Sequence, residues 1–368
     1  MGCRGTPCSV PYIAILPTNF DEHPLTWHYK RRCGQGSWLL ERLPPFVKHN
    51  VERIAKTFGS DWKRIQSYLK TRPEVLQSAT NPNVRNILSN PDSVEDDFLW
   101  AWLNVNTRCI FYRVKETKSD PDNLTLCPIL DFANHSSVLP SMIPRASAAD
   151  IWDMPLKKRG EPFTLTSPSN VTTKAGDELY LRYGFHTNQF LFAEYGFVNP
   201  VSESGLNVDI TPVIEEWFAN RGEVGEWMRE RLVDEGYWGE WSLHSAPAPA
   251  HPSFRLMTAL RLYHAIPSGV GALEGVHDPE GVLRHWRSTV NGVQETLSEE
   301  NERQWRETLQ QVCQQVMDAA VCEAGTLTTQ RTDDGLAEFM VNSVASLWRE
   351  EVYVAKAMME SLRTGVAF

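Results

Sequence analysis

Two short stretches decide how this chain is read: Leu126-Cys127-Pro128-Ile129-Leu130-Asp131-Phe132-Ala133-Asn134-His135-Ser136 and Leu181-Arg182-Tyr183-Gly184-Phe185-His186-Thr187-Asn188, with Tyr195-Gly196-Phe197 following seven residues after the second. Each opens as an apolar, strand-like run and ends in polar or aromatic residues that a folding pattern does not ask for. The first predicts a buried strand over 126–130 that carries Asn134 and His135 at its end. A buried Asn or His must find hydrogen-bond partners, supplied either by a strand-end turn or by a bound ligand. Tyr183 and Tyr195, each followed by glycine, either pack with their hydroxyls bonded to backbone or face a site.

Outward from these stretches, the first 37 residues read as irregular because Pro7, Pro11, Pro17 and Pro24 interrupt them. From Trp38 to Leu69 apolar residues recur at helical steps (Leu39, Leu43, Val47, Ile54, Phe58, Ile65), with Pro44-Pro45 breaking or beginning a helix. Ser93 is a candidate N-cap, ahead of acidic Glu95, Asp96 and Asp97, for a helix that runs to Arg108. Residues 115–123 and 141–161 read as loops, Phe163–Thr166 as a half-exposed strand, and Lys174–Glu178 as a turn into a strand over 179–183. Beyond about Val201 longer helical patterns take over: one around Phe254–Tyr263, one capped by Ser298 with Trp305, Leu309, Val312 and Val316 inward, and a last one stopping at Gly365. Ser242–Ser253, with three prolines, reads as a loop.

At 368 residues and 42% hydrophobic, the chain is long enough for two domains with real cores. A formal net charge of −10 argues against a nucleic-acid partner held through its phosphates. Seven cysteines, an odd number with no Cys-x-x-Cys pair, indicate neither a disulfide framework nor a zinc cluster, so reduced thiols in the cytoplasm or nucleus are expected. No apolar run approaches the ~20 residues of a membrane span. Met1-Gly2-Cys3-Arg4-Gly5-Thr6 formally fits a Gly2 myristoylation pattern, with Cys3 as a second anchor; the pattern is short and permissive.

Together the central stretches resemble the SET-domain protein methyltransferases, in the branch typified by the Rubisco large-subunit lysine methyltransferase. Asp131-Phe132-Ala133-Asn134-His135-Ser136 is similar to that family's Asp-x-x-Asn-His-Ser motif, and Tyr183-Gly184 and Tyr195-Gly196-Phe197 to its paired tyrosine motifs. Trp100–Arg108 resembles the helix that follows the family's insert and ends in a cofactor-facing arginine. Pro11-Tyr12-Ile13, with Leu16-Pro17 and Phe20, resembles the opening of that insert.

The resemblance implies an α+β protein: a SET-type β-fold over about residues 1–200 with a helical insert at about 12–105, followed by an all-helical substrate-binding domain over 201–368. It implies a protein-lysine methyltransferase using S-adenosyl-L-methionine, with a protein substrate presenting a lysine, no nucleic acid and no membrane. By residue, it places Arg108, Asn134 and His135 on the cofactor, makes Tyr183 catalytic, and sets Tyr195 and Asp131 at the substrate. Protein-histidine methylation on the same fold is an alternative.

Family members begin with a strand pair carrying a Gly-x-Gly loop around the methionine end of the cofactor. Here the chain reaches Pro11-Tyr12-Ile13 almost at once, and Gly34-Gln35-Gly36 lies on the wrong side of that landmark. The expectation is therefore either an N-terminally truncated form of an enzyme or a SET-fold interaction protein without catalysis.

Overall fold

Proline placement sets the first helices. In the computed structural model, Pro11 sits in the first turn of α1 (Ser9–Ala14) and Pro24 opens α2 (Pro24–Arg32), positions where a missing N–H costs no helical hydrogen bond. The expectation of an irregular N-terminal stretch is corrected accordingly. Pro45 likewise begins the 27-residue α3 (Pro45–Thr71), after a short 3-10 turn at Trp38–Arg42. Along α3, Val47, Val51, Ile54, Phe58, Trp62 and Leu69 are buried at three- and four-residue steps, while Ile65, expected beside them, is exposed. The structure describes residues 9–32, 38–78, 85, 87, 95–111, 123–137, 141–146, 163–169, 171–200, 207–267, 269, 272–329 and 335–368. The Gly2 pattern, Gly34-Gln35-Gly36, the Ser93 cap and the boundary at Val201 lie outside the described residues.

The chain divides into two units, the first comprising Met1–Ser37, Val51–His186 and Ala193–Asn199, the second Trp38–Asn50, Thr187–Phe192 and Pro200–Phe368. In the first unit α4 (Pro73–Gln77) follows α3, and α5 (Glu95–Arg108) turns its buried Leu99 and Leu103 inward. Phe98 stacks on Trp62 at 4.7 Å, and Trp102 meets Phe58 edge-on at 5.8 Å, so aromatic packing ties α5 to α3.

Short strands follow. β1 (Ile110–Phe111) pairs antiparallel with β2 (Leu124–Thr125). β3 (Ser141–Ala146) lies between antiparallel β4 (Phe163–Thr166) and parallel β5 (Tyr180–Leu181). Two expectations are corrected here. The 126–130 run is not a strand: Asp131 N–H bonds Cys127 O, Ala133 N–H bonds Leu130 O, and a 3-10 turn forms over Leu130–Phe132. Pro128 has no N–H for a ladder, and Ile129, which a buried strand would hide, is 81% exposed. Ser141–Ala146, expected as loop, is a strand whose Pro144 disguises it.

The second unit is helical but not all-helical. α6 (Asn188–Tyr195) straddles the units, and β6 (Asn207–Asp209) precedes α7 (Thr211–Ala219) and α8 (Gly222–Asp234). β7 (Ser242–His244) and β8 (His251–Pro252) join β6 in an antiparallel sheet ordered β6-β7-β8. They occupy the stretch expected to be a loop, because strands of two or three residues beside prolines carry no alternation to read. α9 (Phe254–Tyr263), α10 (Pro279–Val290), α11 (Glu299–Thr329) and α12 (Gly335–Arg363) complete the unit. Its core centres on fully buried Phe218, Trp241, Trp286 and Trp305. Ser298 caps α11 by accepting from Asn301 N–H at 3.1 Å. Just past the end of α12, Gly365 has a φ of +71°, and the Gly365 and Val366 N–H groups bond back to the last turn. No helix among the described residues is long and apolar enough to cross a membrane.

Candidate functional site

The two deciding stretches meet in the first unit. Leu181 N–H donates to Asn134 O at 2.8 Å and Ser136 N–H donates to Leu181 O at 3.0 Å, so His135 lies opposite Leu181 as a parallel bridge. Beneath that bridge Leu130, Ala133 and Leu181 form a small core with Ile110, Cys127, Met142 and Leu165. Leu181 is held from both sides, which fixes the position of Tyr183 two residues on.

Tyr183 N–H then donates to His135 Nδ1 at 3.0 Å. Nδ1 therefore carries no proton, and the neutral ring carries it on Nε2. Burial, and then the positive neighbours His186 and Arg182, lower the His135 pKa and hold that form. Nε2 is buried and has no partner among the described residues, leaving an orphaned donor. The Tyr183 hydroxyl donates to Ala133 O at 3.0 Å.

Rings gather around this pair. Tyr183 lies 5.1 Å from His135 and 5.5 Å from Tyr195, and Phe197 lies 6.0 Å from His135 and 6.1 Å from Tyr195, measured between centroids. Tyr183 stays 37% exposed, so the cluster is reachable. Burial, followed by the negative charge of Asp131, pushes the Tyr183 phenol up to about 12. Burial and Glu194 raise Tyr195 as well.

Glycine permits two of the turns. A Cβ on Gly184 would stand 2.2 Å from His186 Nε2, inside the imidazole's own space. Gly196 has φ +80° and a Cβ there would sit 3.2 Å from His23 Cα. His23 is buried and bridges its surroundings: Nδ1 accepts from Leu25 N–H and Nε2 donates to Glu194 O. Burial drives its pKa down to about 4, so it serves as a neutral strut for the Glu194–Gly196 turn.

Beside the rings is a polar group. Asp131, its side chain 5% exposed, accepts from Arg108 Nη1 at 3.1 Å and from Tyr12 Oη at 2.7 Å. Burial first, then the bond to Asp131, raises the Tyr12 pKa above the usual phenol range. Arg108 Nε is buried and has no partner among the described residues, a second orphaned donor. Asn134 is exposed and donates to Glu178 Oε1 at 2.7 Å, while Glu178 also accepts from Tyr180 Oη.

Of the residues singled out from sequence, His135, Tyr183 and Tyr195 thus come together as one aromatic cluster. Arg108 and Asp131 come together as an ion pair. The Asn134 side chain turns to Glu178 instead. Sequence reasoning gave no role to Phe197, although it lies in the quoted Tyr195-Gly196-Phe197, nor to Tyr12 in Pro11-Tyr12-Ile13.

Known proteins can be set beside this geometry. No protein-family model matches the chain. Ribosomal lysine N-methyltransferase set11 of Schizosaccharomyces pombe is 25% identical over 351 residues, covering 95% of this chain and 74% of that protein. Ribosomal lysine N-methyltransferase 2 of Saccharomyces cerevisiae is 25% identical over 275 residues, covering 69% of this chain and 52% of that protein. The solved structure of Rubisco LSMT bound to sinefungin and monomethyllysine superposes with a TM-score of 0.50 at 17% identity, over 96% of this chain and 70% of that one. The chain is thus similar in sequence to two ribosomal lysine N-methyltransferases and similar in fold to Rubisco LSMT. That likeness of fold agrees with the motif reading at 131–136, 183–184 and 195–197.

The residues around the aromatic cluster bear on whether S-adenosylmethionine fits here. His135 Nε2 and Arg108 Nε are buried donors with no acceptor among the described residues. A buried donor without an acceptor costs about 1–3 kcal/mol, so the site is suited to a group rich in acceptors. S-adenosylmethionine is such a group, with its purine nitrogens, ribose oxygens and carboxylate.

Proposed function

We propose that this chain methylates a lysine side chain of a ribosomal protein, working in the cytoplasm or nucleus, with Tyr183 as catalytic residue and His135 and Arg108 holding the cofactor. The observation that carries the reading is the Tyr183 hydroxyl, donated to Ala133 O at the reachable edge of a four-ring cluster. Support for the substrate class comes from the fission yeast relative, with which 95% of this chain aligns. Reduced thiols, expected from the cysteine usage, support the compartment.

Bound S-adenosylmethionine supplies a sulfonium methyl group open to attack by an amine. What this chain adds is an environment for that amine. The walls formed by Tyr183, Tyr195 and Phe197 exclude water from a lysine that enters between them, which lowers its pKa and favours the neutral, nucleophilic form. Tyr183 keeps its proton at neutral pH because its pKa stands near 12, so it is no general base. Its O–H is spent on Ala133, leaving the oxygen lone pairs to accept an N–H of the amine and aim the nitrogen lone pair. Asp131, between Arg108 and Tyr12, fixes the arginine that faces the cofactor and lies close enough to the cluster to raise Tyr183. Asn134 contributes through its backbone, which carries the bridge to Leu181.

The test is methyl transfer from S-adenosylmethionine to purified ribosomal proteins by the full chain, read by mass spectrometry of lysine-containing peptides. Tyr183→Phe keeps the ring and removes the acceptor. It should slow transfer about 10- to 100-fold, as loss of one hydrogen bond to a polar reacting group implies. Transfer that the variant leaves undiminished would remove Tyr183 from the mechanism, and mass added on histidine instead of lysine would overturn the substrate reading.

A further inference from the structure

The second unit holds a cavity of about 530 Å³ whose walls combine carboxyl groups with aromatic rings. Asp209, Glu216 and Glu351 line it, together with Trp217, Trp348 and Tyr263, and none of its lining residues is a lysine or arginine. The volume falls within the roughly 300–1,000 Å³ of sites that take small ligands or single side chains.

Glu351 is 3% exposed, and its one partner is a neutral amide: Gln189 Nε2 donates to Oε1 at 2.7 Å, while Oε2 has no donor among the described residues. Glu350 beside it, 4% exposed, takes the amide of Asn188. Asp209 accepts from Thr211 N–H through Oδ1. Three carboxyl groups thus sit together with no ion-pair partner among the described residues; the charge of Arg349 acts on Glu350 and not on Glu351. Such an arrangement is costly, because a buried carboxylate needs a charged partner or a proton. Trp217 adds a half-buried ring that donates Nε1 to Gln315 Oε1. A ring beside carboxylates is the chemistry that holds an ammonium or guanidinium on an aliphatic stem.

We propose that this cavity receives a cationic side chain, a lysine or arginine carried by a basic segment of a partner protein, with its charge against Glu351 and Asp209 and its stem against Trp217. The site lies wholly within the second unit and stands independently of methyl transfer. Burial holds Glu351 protonated up to about pH 8 when the cavity is empty. Binding a cation therefore releases a proton and tightens as pH rises through that value. The groups that bear on this titration are Glu350 on the same helix and Asp209 on β6; Arg349, also on that helix, acts through Glu350, and Glu216 stands in the wall. β7 and β8, packed on α12, bring the imidazoles of His244 and His251. The 3-10 turn at Trp38–Arg42 brings Glu41 and Arg42, the latter paired with Glu323 of α11.

The experiment titrates the full chain by calorimetry with four probes: acetylated and amidated Gly-Arg-Gly, Gly-Lys-Gly, neutral Gly-citrulline-Gly, and free putrescine. The expected result is millimolar or tighter binding of the arginine or lysine peptide, at least about tenfold tighter near pH 8.5 than near pH 6, and no binding of the citrulline peptide. Glu351→Gln should abolish binding, and Trp217→Leu should weaken it severalfold, each with an unchanged circular dichroism spectrum. Equal binding of the citrulline peptide, full retention by Glu351→Gln, or no heat with either cationic peptide would overturn the proposal. Putrescine binding tighter than both peptides would overturn its protein source.

Discussion

Replacing Glu351 by Gln should stabilise the second unit above neutral pH, although it removes an ionisable group and adds no contact. Glu351 titrates near pH 8 in the folded chain, raised chiefly by burial, then by the negative charges of Glu350 and Asp209, against the lowering effect of the Gln189 amide. In the unfolded chain it titrates near its ordinary value of 4.5. Between those values the folded form holds a proton that the unfolded form has released. Stability from this group is therefore fully present below about pH 4.5 and is lost as pH rises through about 8. Between about pH 6.5 and pH 8.5 the loss amounts to roughly 2 kcal/mol, from about 1.4 kcal/mol per pH unit weighted by the protonated fraction. Glu350, which titrates near pH 7, acts with the same sign. The window avoids the opposing effect of buried His23 and His264, both held down to about 4, whose contribution is lost only as pH falls below about 6.5. Differential scanning calorimetry of wild type should show the transition of this unit falling by about 4–8 °C across the window, at the 2–4 °C per kcal/mol typical of its size. Glu351→Gln keeps the shape and the bond to Gln189 while removing most of that slope. A wild-type transition that is flat or rises across the window, or a variant that falls as steeply, would refute the reasoning.

Three other changes test the fold and the site. Gly196→Ala forces a side chain into φ +80° with its Cβ 3.2 Å from His23 Cα, and should cost about 1–3 kcal/mol in urea unfolding. Asp131→Asn removes the counter-charge of half-buried Arg108 and should destabilise the first unit by about 1–3 kcal/mol. It should also lower the Tyr183 pKa from about 12, seen as an earlier rise in phenolate absorbance. Ser253→Ala strips the N-cap of α9, leaving the N–H groups of Leu256 and Ser242 without their shared acceptor, and should lower stability by about 1–2 kcal/mol by chemical denaturation.

What was legible in the sequence was mostly periodicity. Trp305, Leu309, Val312 and Val316 repeat at helical spacing behind Ser298, and the structure buries all four with that cap formed. The strands were hidden because they are short and interrupted: Pro144 sits inside β3, and β7 and β8 span only Ser242–His244 and His251–Pro252. The apolar run at 126–130 misled because composition does not say which way a side chain points; Leu130 is buried while Ile129 is open to solvent. At the site, motif spacing brought out His135, Tyr183 and Tyr195. The pairing of Arg108 with Asp131 joins residues 23 positions apart on different elements, and no local pattern announces it. Glu350 and Glu351 were invisible for a further reason. Adjacent charges on a helix read as a solvated face, and only the amides of Asn188 and Gln189, 162 positions away, reveal that the face is covered.

The polar groups buried at the two sites differ in kind, and they point to ligands of opposite character. Beside the aromatic cluster of the first unit the unsatisfied groups are donors, His135 Nε2 and Arg108 Nε, next to satisfied ones such as the Tyr183 hydroxyl. Orphaned donors are relieved only by acceptors, which suits a cofactor carrying ring nitrogens, ribose oxygens and a carboxylate. Around the cavity of the second unit the buried groups without an ion-pair partner among the described residues are carboxyls, and they are relieved by a proton at low pH or by a cation at high pH. A buried carboxyl pair that lowers stability at neutral pH has no structural benefit that glutamine at the same positions would lack. Its presence beside an aromatic-walled cavity is accounted for if the energy withheld from folding returns when a cationic side chain is bound. The same substitution that should raise the melting temperature, Glu351→Gln, should therefore also empty the cavity of its ligand, and the two measurements stand or fall together.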